Sequence, residues 1–318
     1  MSKILVTGAT GFVGRSLVPA LILAGHEVRC AVTQKRDWLQ AEQVLINKLE
    51  LQTDWSEVLQ GIDTVIHLAA RVHVMQKTDA SSLGAYCEIN SKATKIIAEQ
   101  AVKHHVKQFI YLSSIKVNGE FTLSGSPFTE ENDAQPEDPY GQSKLYAEQY
   151  LQSICHNTGM QFVIIRPPLV YGPGVKANFL KTLQLVSKGW PLPFARVYNQ
   201  RHFIYIENLV SALCVVIDNP RAANQVYLVA DDESLSLTHL LRLLAQAMNV
   251  KSRLIPVPVT VLTRVFKVAG MSTLNSRLFS SLEVNTDKIK FQLGWTPPFT
   301  CAEGLGKTAT WYQCDSNS

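Results

Sequence analysis

Lys3-Ile4-Leu5-Val6-Thr7-Gly8-Ala9-Thr10-Gly11-Phe12-Val13-Gly14 stands almost at the start of the chain. Its first five residues predict a short buried strand over 3–7. An apolar helical pattern follows from Phe12 to about Ala24. Between strand and helix, glycine recurs at positions 8, 11 and 14. The first glycine allows a tight turn, the second lets backbone amides approach a pyrophosphate, and the third lets helix and strand pack closely. The free N–H groups of the helix N-terminus would then face the anion. Gly8, Thr10, Gly11, Phe12, Val13 and Gly14 are therefore candidate cofactor residues. The spacing is G-x-x-G-x-x-G rather than G-x-G-x-x-G, and an ordinary strand–helix turn is the competing reading. The flanking strand and helix, and a second motif downstream, favour the dinucleotide.

That second motif is Tyr140-x-x-x-Lys144, with Ser114 upstream. Residues four apart share one face of a helix, so phenol and ammonium project together. A free tyrosine has a pKa of about 10, too high for a good base near neutrality. A neighbouring lysine cation favours the phenolate. A serine hydroxyl can hold the oxygen that gains or loses the proton. Ser114, Tyr140 and Lys144 thus form a proton-transfer device for an alcohol or ketone that needs a hydride carrier.

Composition narrows the class. The 318 residues suffice for one large or two modest domains. Hydrophobic residues make up 46%, as in soluble globular proteins, and a net charge of +4 is too mild to argue for nucleic acid but suits an anionic small molecule. The six cysteines, at 30, 87, 155, 214, 301 and 314, show no metal spacing, which predicts scattered thiols in a reducing, cytoplasmic setting and no metal site. Met1-Ser2-Lys3 leads directly into the first strand, leaving no room for a signal peptide. No uncharged apolar run approaches about 18 residues, so no transmembrane segment is expected. The stretch from Val257 to Met271 carries Arg264 and Lys267 and reads as an amphipathic helix packed on the protein.

Strand patterns near 3–7, 27–32, 44–50, 63–67, 107–113 and 161–166 alternate with helical ones near 12–24, 54–60, 84–104 and 140–157. Such alternation predicts an α/β fold with a doubly wound parallel sheet, whose ligands bind at the carboxyl ends of its strands. Ser114 and His67-Leu68-Ala69-Ala70 fall at such ends. The turn-rich stretch from Gly119 to Pro139 reads as a loop, with Glu130-Glu131-Asn132-Asp133 as solvated surface. Beyond Arg166, helical patterns near 176–188, 206–218, 236–248, 258–269 and 286–292 mix with strands near 202–205 and 225–229, and the tail 314–318 reads as frayed.

The chain resembles the extended short-chain dehydrogenase/reductases of the nucleotide-sugar epimerase/dehydratase family. The matching segments are the glycine turn, His67-Leu68-Ala69-Ala70, Leu112-Ser113-Ser114, Tyr140-Gly141-Gln142-Ser143-Lys144, Arg166-Pro167-Pro168-Leu169-Val170-Tyr171-Gly172-Pro173 and Leu293-Gly294-Trp295. They span nearly the whole chain in the family's order. The resemblance implies a dinucleotide-binding Rossmann domain over 1–167, to which segment 201–229 returns, and a smaller UDP-sugar domain mainly over 168–318. It assigns catalysis to Ser114, Tyr140 and Lys144, and places Leu68, Ala69, Ala70, Ser113 and Pro167 beside the cofactor with Tyr140 and Lys144. Asn178-Phe179 resembles the motif that contacts the substrate pyrophosphate, Leu192-Pro193-Phe194 the segment that reads uracil, and Arg201 the arginine that clamps phosphate. A helix cap for Asn178 is the structural alternative. Arg71 and His73 could approach the sugar, with a structural role the better reading for the histidine.

Dehydratases of the family carry an Asp-Glu pair just after the catalytic Ser or Thr. Here Ile115 and Lys116 occupy those positions, which argues against elimination of water. Lys116 reads as a solvated loop cation or as a contact to the sugar or a phosphate. NAD-specific sites place a carboxylate after the second strand. This chain has Val32-Thr33-Gln34-Lys35-Arg36 there, and Lys35 and Arg36 could accept a 2′-phosphate, which sets the NAD(P) choice on the side of NADP(H). These features together favour reduction of a UDP-4-keto-6-deoxy-N-acetylhexosamine in surface-polysaccharide (lipopolysaccharide) precursor synthesis. A UDP-glucose or UDP-N-acetylglucosamine 4-epimerase is the alternative. A non-catalytic dinucleotide-binding protein, or a reductase of small carbonyls, is the remoter reading. A homodimer through the helices near 84–104 and 140–157 is expected, using Ile96, Ile97, Val102, Tyr146 and Tyr150.

Overall fold

The computed structural model describes residues 1–46, 53–70, 87–270 and 278–316. A seven-stranded parallel sheet forms its centre. The strands are β1 (Lys3–Thr7), β2 (Glu27–Val32), β3 (Glu42–Leu45), β4 (Thr64–His67), β5 (Gln108–Leu112), β6 (Gln161–Arg166) and, late in the chain, β9 (Gln225–Leu228). Their order across the sheet is β3-β2-β1-β4-β5-β6-β9. The direction of winding reverses between β1 and β4, and the crevice at their carboxyl ends is where such sheets bind ligands. A second, two-stranded sheet pairs β7 (Leu169–Tyr171) with β8 (Phe203–Tyr205).

The central strands read as continuous apolar runs because both faces are covered. Ile4 and Val6 point into one core, with Leu17 and Leu21 of α1 (Phe12–Leu23) and Leu209 and Leu213 of α6 (Ile206–Val215). Leu5, one residue out of phase, points into the other, with Trp55, Ile97, Phe109, Ala147 and Leu151. Each fully buried Leu or Ile contributes roughly 1.5–3 kcal/mol. The second face is covered by a single turn, α2 (Ser56–Leu59), and by α3 (Ala93–Lys103) and α4 (Pro139–His156). A third core joins α5 (Ala177–Ser187), α7 (Leu237–Ala247) and α10 (Cys301–Ser316) around Phe179, Leu183, Leu244 and Leu305. Helices α8 (Val259–Val268) and α9 (Asp287–Leu293) complete the described part.

The structure corrects several expectations. The third strand starts at Glu42, before the expected 44, because Arg29 of β2 pairs with the Glu42 carboxylate at 2.9 Å. Residues beyond 46 in that expected strand lie outside the described residues. So do Arg71, His73 and the start of the helix expected from 84. Its described beginning is a π-helical turn, Cys87–Lys92, which passes into α3. Glu130 is partly buried rather than fully solvated: its Oε1 accepts the Leu228 backbone N–H at 2.8 Å, and burial raises its pKa. Ile97, expected at a dimer face, is fully buried in the second core. The tail is helical through Ser316, because α10 packs Cys301, Leu305 and Ala309 into the third core. Among the described residues, no helix is long and apolar enough to cross a membrane. Among them also, no group of three or more His, Cys, Asp or Glu could hold a metal ion.

Candidate active site

The glycine turn folds tightly against the end of β4. Gly8 has φ +75°, and the Gly11 N–H donates to the Gly8 carbonyl at 2.9 Å. A Cβ at Gly8 would stand 2.8 Å from the Ala69 nitrogen, and one at Gly14 would stand 2.4 Å from the Gly8 oxygen. Only glycine permits these approaches. Thr7 closes the base of the crevice. Its hydroxyl lies 2.6 Å from His67 Nδ1, and its carbonyl accepts from the Leu68 N–H at 3.2 Å. Burial drives the His67 pKa down to about 3, helped by the nearby Lys144 charge, so the imidazole is neutral. Gly11 caps α1 without a side-chain hydrogen bond, which leaves the helix N-terminus open to an anion. This cradle fits the pyrophosphate of a dinucleotide, with Thr10 and Gly11 exposed, and Phe12, Val13, Leu68, Ala69 and Ala70 partly exposed around it.

At the far end of the crevice, β5 ends in Leu112 and α4 begins. Asp138 caps α4 by accepting the Gly141 N–H at 2.7 Å, and Pro139 occupies the first helical turn, a favoured start. A Cβ at Gly141 would meet the Lys116 carbonyl at 2.7 Å. The missing side chain thus seats the first turn of α4 on the short 3-10 turn Ile115–Val117 that follows Ser114. Ser143 donates to the Tyr140 carbonyl at 2.8 Å, and Asn90 of the π turn donates to Ser143 at 3.0 Å. Ser143 thus links the Tyr140 backbone to the π turn.

Lys144 is 2% exposed. Its Nζ donates to the Leu112 carbonyl at 2.7 Å, lies 4.6 Å from the Tyr111 ring centre and 5.8 Å from that of Tyr140. Burial lowers its pKa to about 7, against the opposing pull of Glu148. The Tyr111 phenol beneath it is pushed well up by burial and stays neutral. Ser114 and Ser113 point to opposite sides. Ser114 is partly exposed, and its hydroxyl accepts from the Lys116 N–H at 3.3 Å. Ser113 is 4% exposed and gives its hydroxyl to Glu148, which takes that hydroxyl out of the cofactor crevice. Pro167 is buried, and its carbonyl receives the Ile115 N–H at 2.9 Å.

The remaining expected residues divide. Lys35 and Arg36 are exposed just beyond the carboxyl end of β2. Gln43 holds the loop by accepting from the Arg36 N–H at 2.8 Å and donating to the Arg36 carbonyl at 2.9 Å. Lys116 is neither free nor turned to a ligand, because it pairs with Glu120 and Asp138. Asn178 is exposed in the first turn of α5, and Lys176 rather than Asn178 is the cap residue. Phe179 stacks on Tyr171 at 5.3 Å in the third core, so only its backbone can serve a ligand. Leu192 is buried, while Phe194 is partly exposed and faces Phe279 at 6.4 Å. Arg201 donates to the Ser280 carbonyl at 2.9 Å between backbone bridges to Leu235 and Leu282. Glu148 and Asn90 escaped the sequence reading, and Arg166 entered it only as part of a matching segment. The one local signal was the K-x-x-x-E spacing from Lys144 to Glu148.

Known proteins resemble this chain in sequence and in fold. The chain is 44% identical over 312 residues to a UDP-glucose 4-epimerase of Vibrio cholerae, covering 96% of this chain and 94% of that one. It is 25% identical to an N-acetyl-alpha-D-glucosaminyl-diphospho-ditrans,octacis-undecaprenol 4-epimerase of Escherichia coli, covering 96% and 94%. Among solved structures it shares the fold of MoeE5, determined in complex with UDP-glucose and NAD. The TM-score is 0.79, with 22% identity, covering 99% of this chain and 100% of that one. The model of the NAD dependent epimerase/dehydratase family matches residues 4–230. The chain is a member of that family of nucleotide-sugar enzymes.

Proposed function

We propose that the protein interconverts the C4 epimers of a UDP-hexose or UDP-N-acetylhexosamine with a bound NAD(P). The observation that carries this reading is the 44% identity, over nearly the full length of both chains, to a UDP-glucose 4-epimerase. Tyr140 takes the O4 proton as C4 becomes a ketone and gives it back when C4 is reduced on the other face. Ser114 holds O4 in both directions. Lys144 favours the phenolate and would hold the nicotinamide ribose of a bound dinucleotide. A bound dinucleotide would supply the acceptor and donor of the C4 hydride. The diphosphate end of the substrate is held by Arg201 and Asn178, and the base lies against the segment from Leu192 to Phe194. Ile115, 3% exposed, and Lys116, paired with two carboxylates, supply no acid–base pair for elimination of water, which fits a reaction that keeps all substrate atoms.

A second reading is reduction of a UDP-4-keto-6-deoxy-N-acetylhexosamine, the first choice from sequence. What favours it is the carboxyl end of β2, where Lys35 and Arg36 stand and no carboxylate precedes Asp37. Such a site suits an exchangeable NADP(H). Mass spectrometry of the nucleotide that co-purifies with the protein separates the two. Tightly held NAD+ supports the epimerase, whereas an empty or NADP-filled site supports the reductase. We further propose a homodimer through α3 and α4, where Tyr146 and Tyr150 are each 39% exposed.

A further inference from the structure

The catalytic reading of Tyr140 and Lys144 leaves one buried charge without a task. Glu148 lies one helical turn beyond Lys144 on α4 and is 1% exposed. A carboxylate in such an interior must be paired and hydrogen-bonded. Arg166, the last residue of β6, donates Nε to Oε1 at 3.0 Å and Nη2 to Oε2. Ser113, just past β5, donates its hydroxyl to Oε1. The third arm of Arg166 donates to Asn118 Oδ1 at 3.0 Å, and Asn118 donates to the Thr129 carbonyl at 3.1 Å. One carboxylate therefore ties the helix that carries Tyr140 to the two strand ends beside it.

Packing alone does not call for this arrangement, since a buried ion pair is often no more stable than apolar residues of the same volume. The charges nearby show what it adds. The Lys144 Nζ donates to the Leu112 carbonyl and lies over the Tyr111 ring, with the Tyr140 ring farther off at 5.8 Å. From β4, His67 faces it as a neutral ring; from β5, Tyr111 does so as a neutral phenol. From the π turn and from α3, Asn90 and Thr94 lie at this face and carry no charge. At the start of α4, Asp138, Glu120 and Lys116 are paired with one another. Beyond Arg166 stand Glu130 and Lys288. Tyr140 is the group that Lys144 serves. Glu148 is the one of these groups that opposes the burial penalty on the Lys144 charge.

We propose that Glu148 is a positioning residue for the Tyr140–Lys144 pair: fixed by Arg166 and Ser113 one helical turn beyond Lys144, it is the counter-charge that favours the ammonium form of Lys144. Arg166 acts the other way, by holding Glu148 in place while adding a competing positive charge. This inference rests on the catalytic reading of the pair, but its test needs no substrate.

The purified protein, labelled with 13C at lysine Cε, is titrated by NMR, and the Lys144 signal is assigned with Lys144→Met. In Glu148→Gln the Lys144 titration should move to lower pH by at least half a unit. In Arg166→Gln it should move to higher pH. Circular dichroism reports whether each variant is folded. An unmoved Lys144 titration in folded Glu148→Gln overturns the proposal, because a structural tie alone would leave it in place. If Glu148→Gln does not fold, Arg166→Gln decides: an upward shift supports the proposal, and no shift or a downward one overturns it. A protein inactive on every UDP-sugar would refute the functional reading while leaving this titration to be judged separately.

Discussion

The Nζ of Lys144 donates a hydrogen bond to the carbonyl of Leu112 at 2.7 Å, so a buried side chain of α4 is moored to the last residue of β5. The next two residues of the chain are Ser113 and Ser114. The bond therefore couples the position of the lysine to that of the serine hydroxyl expected to hold the substrate oxygen.

Burial of Lys144 gives a stability signature. Its pKa falls from 10.5 to about 7 on folding. Between those values the unfolded chain binds the extra proton, so stability rises with pH across that window. The wild type should gain stability relative to Lys144→Met as pH rises from about 7 to about 10. Urea denaturation at several pH values measures this. A difference that stays flat would show that Lys144 is not desolvated as described.

Tyr140→Phe removes the proposed proton carrier and keeps the ring. Turnover should fall by roughly a hundredfold or more, as expected on loss of a general acid–base. Cofactor content and melting temperature should change little. Turnover near wild type would remove Tyr140 from the chemistry.

Gly14→Ala tests the cradle. The added methyl would stand 2.4 Å from the Gly8 oxygen and 2.6 Å from Ala9 Cα, all backbone that cannot swing aside. Overpacking of this kind costs roughly 1–3 kcal/mol. Calorimetry should show both a lower melting temperature and weaker dinucleotide binding. Gly306→Ala, a helical position where a Cβ meets nothing within 4 Å, serves as the control for an added methyl without overpacking.

Arg201→Ala should weaken UDP binding tenfold or more and leave dinucleotide binding intact, because a charge-assisted hydrogen bond to phosphate contributes about 1.5–3 kcal/mol. Titration calorimetry with UDP alone measures it. An unchanged dissociation constant would confine Arg201 to its bond with Ser280.

Local patterns carried much of this into the sequence. The strands at 3–7, 27–32 and 161–166 were legible to the residue because continuous apolar runs end at turn residues. Strand β7 was missed, being three residues that follow Pro167 and Pro168. Helix α10 was missed because Gly304 and Gly306 interrupt its pattern. Gly304 is there for packing, since a Cβ would lie 2.7 Å from the Tyr171 hydroxyl. At the site, Tyr140, Lys144 and the glycine turn were legible as spacings. The partners of Glu148 were not: Ser113 lies 35 residues away and Arg166 lies 18 away. Likewise, nothing local joined Glu130 to Leu228, 98 residues on. Such pairs exist only once the sheet brings strand ends together.

The central claim, epimerisation at C4, is tested most directly by incubating the purified protein with UDP-glucose, and separately with UDP-N-acetylglucosamine, without added nicotinamide cofactor, and following the sugar anomeric signals by 1H NMR. The account predicts that a C4 epimer of at least one substrate appears and reaches equilibrium. No epimer from either sugar, together with NADPH consumption only when a UDP-4-keto-6-deoxy-N-acetylhexosamine is supplied, would contradict it and establish the reductase instead.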